Sequence, residues 1–287
     1  MPQPHESQEF QDFIFWREKA RNQNLEVSDC ISTWTDICGF GSLLSENKWD
    51  LKALQSSGTL ELLNEVYTIG CSILLPNVSP LPSDRIVVLN DGIARTVDLK
   101  YKKDLDTFSF LFFIRDLLIN HYLLLEVTKR FKVGIRTIIT GGERIQYSPI
   151  SVTGQSVLYY NEENVSDYGK KLLNTQFLYN PAEFQMNTAF AKAFTIDNLG
   201  TKEGIKVNGL FIESSFIDKI SDLTNLEIKT NDNIIKFYFK ETLIFDLNIL
   251  SLIDIKVKGL DVKVYHISRF FIHKTFDGED VEFNLYP

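Results

Sequence analysis

The chain of 287 residues predicts an α/β (α+β) fold, a mostly antiparallel or mixed sheet with helices on one face. Three observations lead there. Extended and helical runs follow one another in the order β-α-β-β-α-β-α-β. The two β-rich runs of "DRIVVLNDGIARTVDL" flank Asn90-Asp91-Gly92, a hairpin signal because these residue types tolerate positive φ. The C-terminal part is strand-rich, in "GLFIESSFI", "IIKFYFKETLIFDL" and "SLIDIKVKGLDVKVYHISRFFIH", and adds an extra β region. No internal repeat or low-complexity linker interrupts the chain, so residues 26–287 read as a single domain behind an N-terminal helix within 1–25.

In chain order, residues 7–24 form a polar-flanked helix with Phe10, Phe13, Ile14 and Phe15 on its apolar side. A strand covers Val27 to Cys38, with Ile31, Trp34 and Ile37 as its apolar positions. After the Gly-Phe-Gly bend, "SLLSENKWDLKALQSSGTLELLNEVYTIGCSIL" supplies one or two helices, and Pro76, Pro80 and Pro82 mark a loop. The run Phe108–Lys129 is barely long enough to span a bilayer and carries Arg115, Asp116, Asn120 and His121, so it reads as a buried amphipathic helix with His121 at the core edge. "FKVGIRTIITGGERI" is a strand ending at a glycine pair. Residues 151–185 lack periodicity and read as an insertion or irregular loop. "QMNTAFAKAFTIDNLG" is a helix closed by Gly200, with Ala189, Ala193 and Phe194 or Ile196 toward the core.

Thirty Lys and Arg against 38 Asp and Glu leave a net charge of −8, which excludes a global pull toward nucleic acid. Any phosphate-binding site must therefore be local. Cys30, Cys38 and Cys71 make an odd count with no CxxC pair, so reduced thiols are expected, with neither zinc nor a disulfide framework. The first twenty residues lack a basic stretch followed by an apolar one, and no signal peptide is expected. These features together predict a cytoplasmic protein without a membrane or nucleic-acid partner.

Within "WTDICGFGSLL", Asp36 stands in an apolar run. A buried carboxylate is costly without a positive partner, so Asp36 either points outward at a strand end or holds a cation. Taken singly, each charged position has a plainer reading. Asp36 alone suits a helix N-cap or strand end, and Asn90-Asp91-Gly92 alone is a hairpin turn. Arg136 and Lys258 alone are charges on edge strands.

Taken in order, four motifs give the chain a resemblance to the class III nucleotidyl (adenylyl/guanylyl) cyclase catalytic domain, over roughly residues 28 to 270. That family has a ferredoxin-like βαββαβ core which pairs with a second copy and builds its sites at the interface. "TDICGFGSL" resembles its opening strand and turn. The resemblance implies that Asp36 and the carbonyl of Ile37 bind metal, Mg²⁺ or Mn²⁺, and that backbone N–H groups of Cys38, Gly39, Phe40 and Gly41 face a triphosphate. "LNDGI" places Asp91 where the family has its second metal-binding Asp. "RTIITGG" is similar to the strand whose Arg, here Arg136, meets the outer phosphates, although Ile138 replaces a glycine. "IKVKGLDVKVYHI" resembles the closing strand pair, with Lys258 on the triphosphate.

Two further positions depart from the family. Its late helix carries an Asn and, four residues on, an Arg worth about 10²–10³ in rate. Here Asn187 is retained as the catalytic candidate, Ala191 stands in place of the Arg, and Lys192 points about 100° away on an ideal helix. The purine-reading Lys or Glu is replaced by Val87. The resemblance therefore implies a homodimeric, metal-dependent conversion of a nucleoside triphosphate to a 3′,5′-cyclic nucleotide and pyrophosphate. The base is expected to be a pyrimidine, as in the bacterial uridylate and cytidylate cyclases of phage (antiviral) defence. The alternative is an inactive nucleotide-binding regulator or interaction domain of the same fold.

Overall fold

A computed structural model describes residues 27–71, 81, 83–99, 106–145 and 182–286. The expected N-terminal helix and nearly all of the 151–185 segment lie outside the described residues. The chain divides into two compact units, one of Asp29–Gly142 with Thr188–Pro287, the other of Met1–Ser28 with Glu143–Asn187. In the second unit the described residues include a 3₁₀ turn at Ala182–Phe184. There Arg144 bridges to Asn187 in antiparallel fashion, and Asn187 Nδ2 donates to the Glu183 carbonyl at 2.9 Å.

The chain opens into β1 (Val27–Cys38), buried along most of its length. Three helices follow, α1 (Phe40–Glu46), α2 (Leu51–Ser56) and α3 (Thr59–Gly70). The hairpin of β2 (Arg85–Leu89) and β3 (Gly92–Asp98) pairs as its turn residues predict, and Asn90 takes a left-handed φ of 56°. Helix α4 (Thr107–Arg130) is capped by Asp106, whose carboxylate accepts from the Phe108 N–H, and ends on Lys129 and Arg130, which complement the dipole. Its length and composition would allow a membrane span, yet 67% of its apolar window is buried within the protein. Phe110, Leu111, Ile114 and Leu118 are almost fully buried in the core, each contributing about 1.5–3 kcal/mol.

Strand β4 (Gly134–Ile145) is followed by α5 (Thr188–Leu199), β5 (Leu210–Glu213), α6 (Ser214–Ile220), β6 (Leu226–Thr230), β7 (Ile234–Phe239), β8 (Thr242–Val257), β9 (Leu260–Ile272), α7 (Lys274–Asp277) and β10 (Val281–Asn284). Among the described residues ten strands join one sheet in the order β2-β3-β1-β4-β5-β9-β8-β7-β6, with β10 on β9. The fold is mixed α+β and the sheet mostly antiparallel, as expected, with β4–β5 the parallel pair. "GLFIESSFI" belongs to the strand-rich tail by sequence, but only its first part is a strand. Glu213 ends the strand and caps α6, its carboxylate accepting from the Ser215 N–H.

Helices on one face were also expected, and the glycine pair on β4 shows otherwise. Neighbouring strand residues face opposite sides. A Cβ on Gly141 would lie 2.2 Å from the Ser215 carbonyl oxygen of α6, and one on Gly142 would lie 2.5 Å from the Ala189 nitrogen of α5. Helices therefore sit on both faces, α4 and α6 on one and α5 on the other, and each glycine admits a backbone that no side chain would. His121 does lie in the core, 1% exposed. It shares a 2.9 Å hydrogen bond with Thr137 through Nδ1, while Nε2 has no partner. Burial and neighbouring His266 push it down to about 3, so it is neutral.

Candidate functional site

Strand alternation sends Trp34, Asp36 and Cys38 to the α5 face, since Ile31 and Ile37 belong to the clusters on the other. Asp36 pairs with Gly92 across β1–β3, and the Ile37 N–H donates to the Asp91 carbonyl at 3.1 Å. The hairpin thus delivers Asp91 beside the end of β1. Tyr67 of α3 donates its hydroxyl to the Asn90 carbonyl and steadies the turn. Gly92 is needed here because the Trp34 ring fills the place of a side chain, 2.2 Å from where a Cβ would be.

A third carboxylate joins them. Asp197, near the end of α5, receives Arg136 Nε at 2.5 Å and Trp34 Nε1 at 3.3 Å. Arg136 also donates to the Ile205 carbonyl at 2.9 Å. Burial, then the charges of Asp197 and Asp91, push the Asp36 carboxyl up to about 7, with Arg136 pulling the other way. Burial likewise raises Asp197 against the opposing pull of Arg136. Three acids and one buried guanidinium make a site short of positive charge. Burial pushes the Cys38 thiol up to about 11, so it stays protonated at neutral pH and is no nucleophile.

The bend after Cys38 rests on Gly39, whose φ of 95° favours glycine. Phe40 is 3% exposed and anchors the turn in the cluster with Ile37 and Leu62. α1 has no side-chain cap, and a Cβ on Gly41 would meet nothing within 4 Å. Backbone N–H groups there are open to an approaching anion.

One predicted residue stands elsewhere on the sheet. Lys258 occupies the β8–β9 turn with φ 50° and is exposed. The Thr35–Thr137 and Thr140–Ser32 contacts show that β1 and β4 run in opposite directions. Thr137 is level with Leu210, and Leu210 with Ile267. β9 thus runs with β1, and Lys258, nine residues before Ile267, lies about 30 Å down the sheet from the Asp36 end. One chain does not bring Lys258 to Asp36. Asn187 is 4% exposed and belongs to the second unit, where its amide bonds Glu183. Lys192 holds Glu213 at 3.0 Å and also contacts Ser215.

Asp197 was not anticipated from the sequence, although a signal existed. It follows Ala189, Ala193 and Ile196 on the buried stripe of its helix, and a carboxylate on such a stripe needs a partner. Among the described residues no three His, Cys, Asp or Glu side chains are grouped to hold an ion unaided. Asp36 and Asp91 nonetheless fit Mg²⁺ or Mn²⁺, which take a few carboxylates and complete their shell with phosphate oxygens and water.

No family model matches the chain, and no curated protein does. Among solved structures it is similar to the guanylate cyclase domain of RhGC from Catenaria anguillulae in complex with GTP. The identity is 11%, with 84% of this chain and 97% of that one covered at a TM-score of 0.45. The guanylyl cyclase domain of the RhoGC fusion protein from Blastocladiella emersonii gives 11%, 85% and 97% at 0.42. The adenylate/guanylate cyclase/hydrolase from Silicibacter pomeroyi gives 12%, 85% and 98% at 0.34.

Proposed function

We propose that this chain binds a nucleoside triphosphate with Mg²⁺ or Mn²⁺ at Asp36 and Asp91 and converts it to a cyclic nucleotide and pyrophosphate. The observation that carries the reading is the convergence of Asp36 and Asp91 beside the open Gly39–Gly41 turn, with the Asp36 carboxyl held up at about 7 by burial and by its acidic neighbours. Such a set favours a cation over ionisation on its own. The Ile37 carbonyl is the third oxygen of the metal set, and the bound ion supplies Lewis-acid stabilisation of phosphate oxygens. The N–H groups from Cys38 to Gly41 orient the phosphate chain. Arg136, tied to Asp197 and the Ile205 carbonyl, offsets part of the negative charge of the acidic cluster and meets the phosphates with the rest of its guanidinium. Val87, 8% exposed, has no hydrogen-bonding group for a purine edge, which supports a pyrimidine. Lys258 is supplied by a second copy in a homodimer, because its own chain holds it at the far end of the sheet.

The second reading is a binding protein that does not turn over. Ala191 in the expected Arg position favours it, with the adjacent Lys192 committed to Glu213.

Incubation with each of ATP, GTP, CTP and UTP and either metal, with products read by mass spectrometry, tests both. A single cyclic product that Asp36→Ala abolishes is the expected result. Metal-dependent triphosphate binding without product establishes the second reading. Metal-dependent affinity that survives both Asp36→Ala and Asp91→Ala removes the site.

A further inference from the structure

Behind the Gly39 turn, beside the C-terminal half of α4, lies a cavity of about 840 Å³. It falls within the range of small-molecule sites, about 300–1,000 Å³. Its walls are set by identifiable constraints. Gly134 has no room for a side chain, because a Cβ would lie 2.1 Å from Val207 Cγ1 and 2.7 Å from Asn208 Oδ1. Asn208 Oδ1 in turn accepts from the Ile135 N–H at 3.1 Å. Two tyrosine rings on the walls are held in place. Tyr122 stands edge-on to Phe283 at 5.0 Å, and Tyr286 stands edge-on to His266 at 5.2 Å, with its hydroxyl bonded to His266 Nε2.

Leu125, Val133 and Leu285 supply an apolar lining, and Lys129 and Lys132 stand among the lining residues. Neither lysine has an ion-pair partner among the described residues. Glu282, also on the wall, is already paired with Arg269 at 2.9 Å. That leaves two cations facing one other carboxylate, Glu126. Cys38 lines the same cavity, and Val133 Cγ1 lies 4.0 Å from where a Cβ on Gly39 would be. The cavity therefore adjoins the Gly39 turn.

We propose that this cavity is a second small-molecule site, separate from the carboxylate site, which takes a planar aromatic molecule carrying one anionic group. Fixed tyrosine rings offer faces for stacking, the apolar lining residues add contact area for a ring, and unpaired lysines meet the anion.

Calorimetric titration of the full chain with indole-3-acetate and with uridine 5′-monophosphate tests this. At least one probe is expected to bind saturably with a Kd of about 1 mM or below. Binding should persist in Asp36→Asn, weaken at least about tenfold in Lys129→Glu/Lys132→Glu, and vanish in Leu125→Trp, which fills the cavity. The double lysine variant alters exposed residues only and stands in if Leu125→Trp misfolds. Absence of saturable binding by either probe overturns the proposal. So does binding that is lost in Asp36→Asn, or that survives the lysine exchange or the filled cavity.

Discussion

At the scale of single residues, a half-buried carboxyl and a buried imidazole make opposite demands. Ionised Asp36 lies among Asp91 and Asp197, and its carboxyl is held up at about 7. Above that pH the metal-free protein carries the full cost of a carboxylate taken partly out of water and set beside two others. Asp36→Asn is therefore expected to raise the melting temperature without metal, more at pH 8 than at pH 5, and to abolish stabilisation by Mg²⁺. Thermal melts at the two pH values with and without Mg²⁺ check this, and an unchanged Mg²⁺ response would remove Asp36 from the metal set. His121 works the other way, since burial and His266 push it down to about 3. Below about 6.5 the unfolded chain takes up a proton that folded His121 refuses, so stability falls as pH drops from there toward 3. His121→Gln is expected to flatten that limb, as read from urea unfolding at pH 4.5, 5.5 and 6.5. A slope identical to the wild type would show that another group controls it.

At the scale of elements, the glycine pair on β4 is the tightest joint. Gly141→Ala would drive a methyl to 2.2 Å from a backbone carbonyl of α6. It is expected to cost about 1–3 kcal/mol in urea unfolding, the range for overpacking a core joint. A loss below half a kilocalorie per mole would mean that α6 shifts freely. The elements were legible wherever local chemistry decides them. β1 ends at Cys38, as its apolar pattern predicts, and α4 exceeds its expected range by one residue at each end. The Asn90 turn likewise needs only its own residues. What escaped reading depends on distant partners. "ESSFI" turns helical because Glu213 caps it and Phe216 and Ile220 are buried in the core, where β-branched and aromatic residues alone suggested a strand. Arg136 finds Asp197 61 residues away, and nothing near either residue announces the pair. Asp36 and Asp91 were readable because a strand end and a hairpin tip are local features that a single register brings together.

At the scale of the molecule, Asp36 and Lys258 lie at opposite ends of the sheet, so a site that uses both needs two chains. Asp36→Asn and Lys258→Ala are each expected to abolish turnover, or triphosphate binding under the second reading. Mixing the two variants should restore about a quarter of the wild-type signal, because half of the dimers are hybrids with one intact site each. No recovery after confirmed exchange of chains would place Lys258 outside the site. The parallel β4–β5 pairing has a different consequence, for the order in which the sheet is made. Most neighbouring strands are joined by short turns, as in β2–β3, β6–β7, β7–β8 and β8–β9, and can zip up locally. The β4–β5 seam instead aligns Thr137 with Leu210, 73 positions apart, over three residue pairs. Closing so large a loop costs about 4 kcal/mol in chain entropy before any contact repays it. β1 and β4 close a still longer loop, with Thr35 meeting Thr137 102 positions away, so the locally joined hairpins should form first, with the seams on either side of β4 as the slow events in refolding.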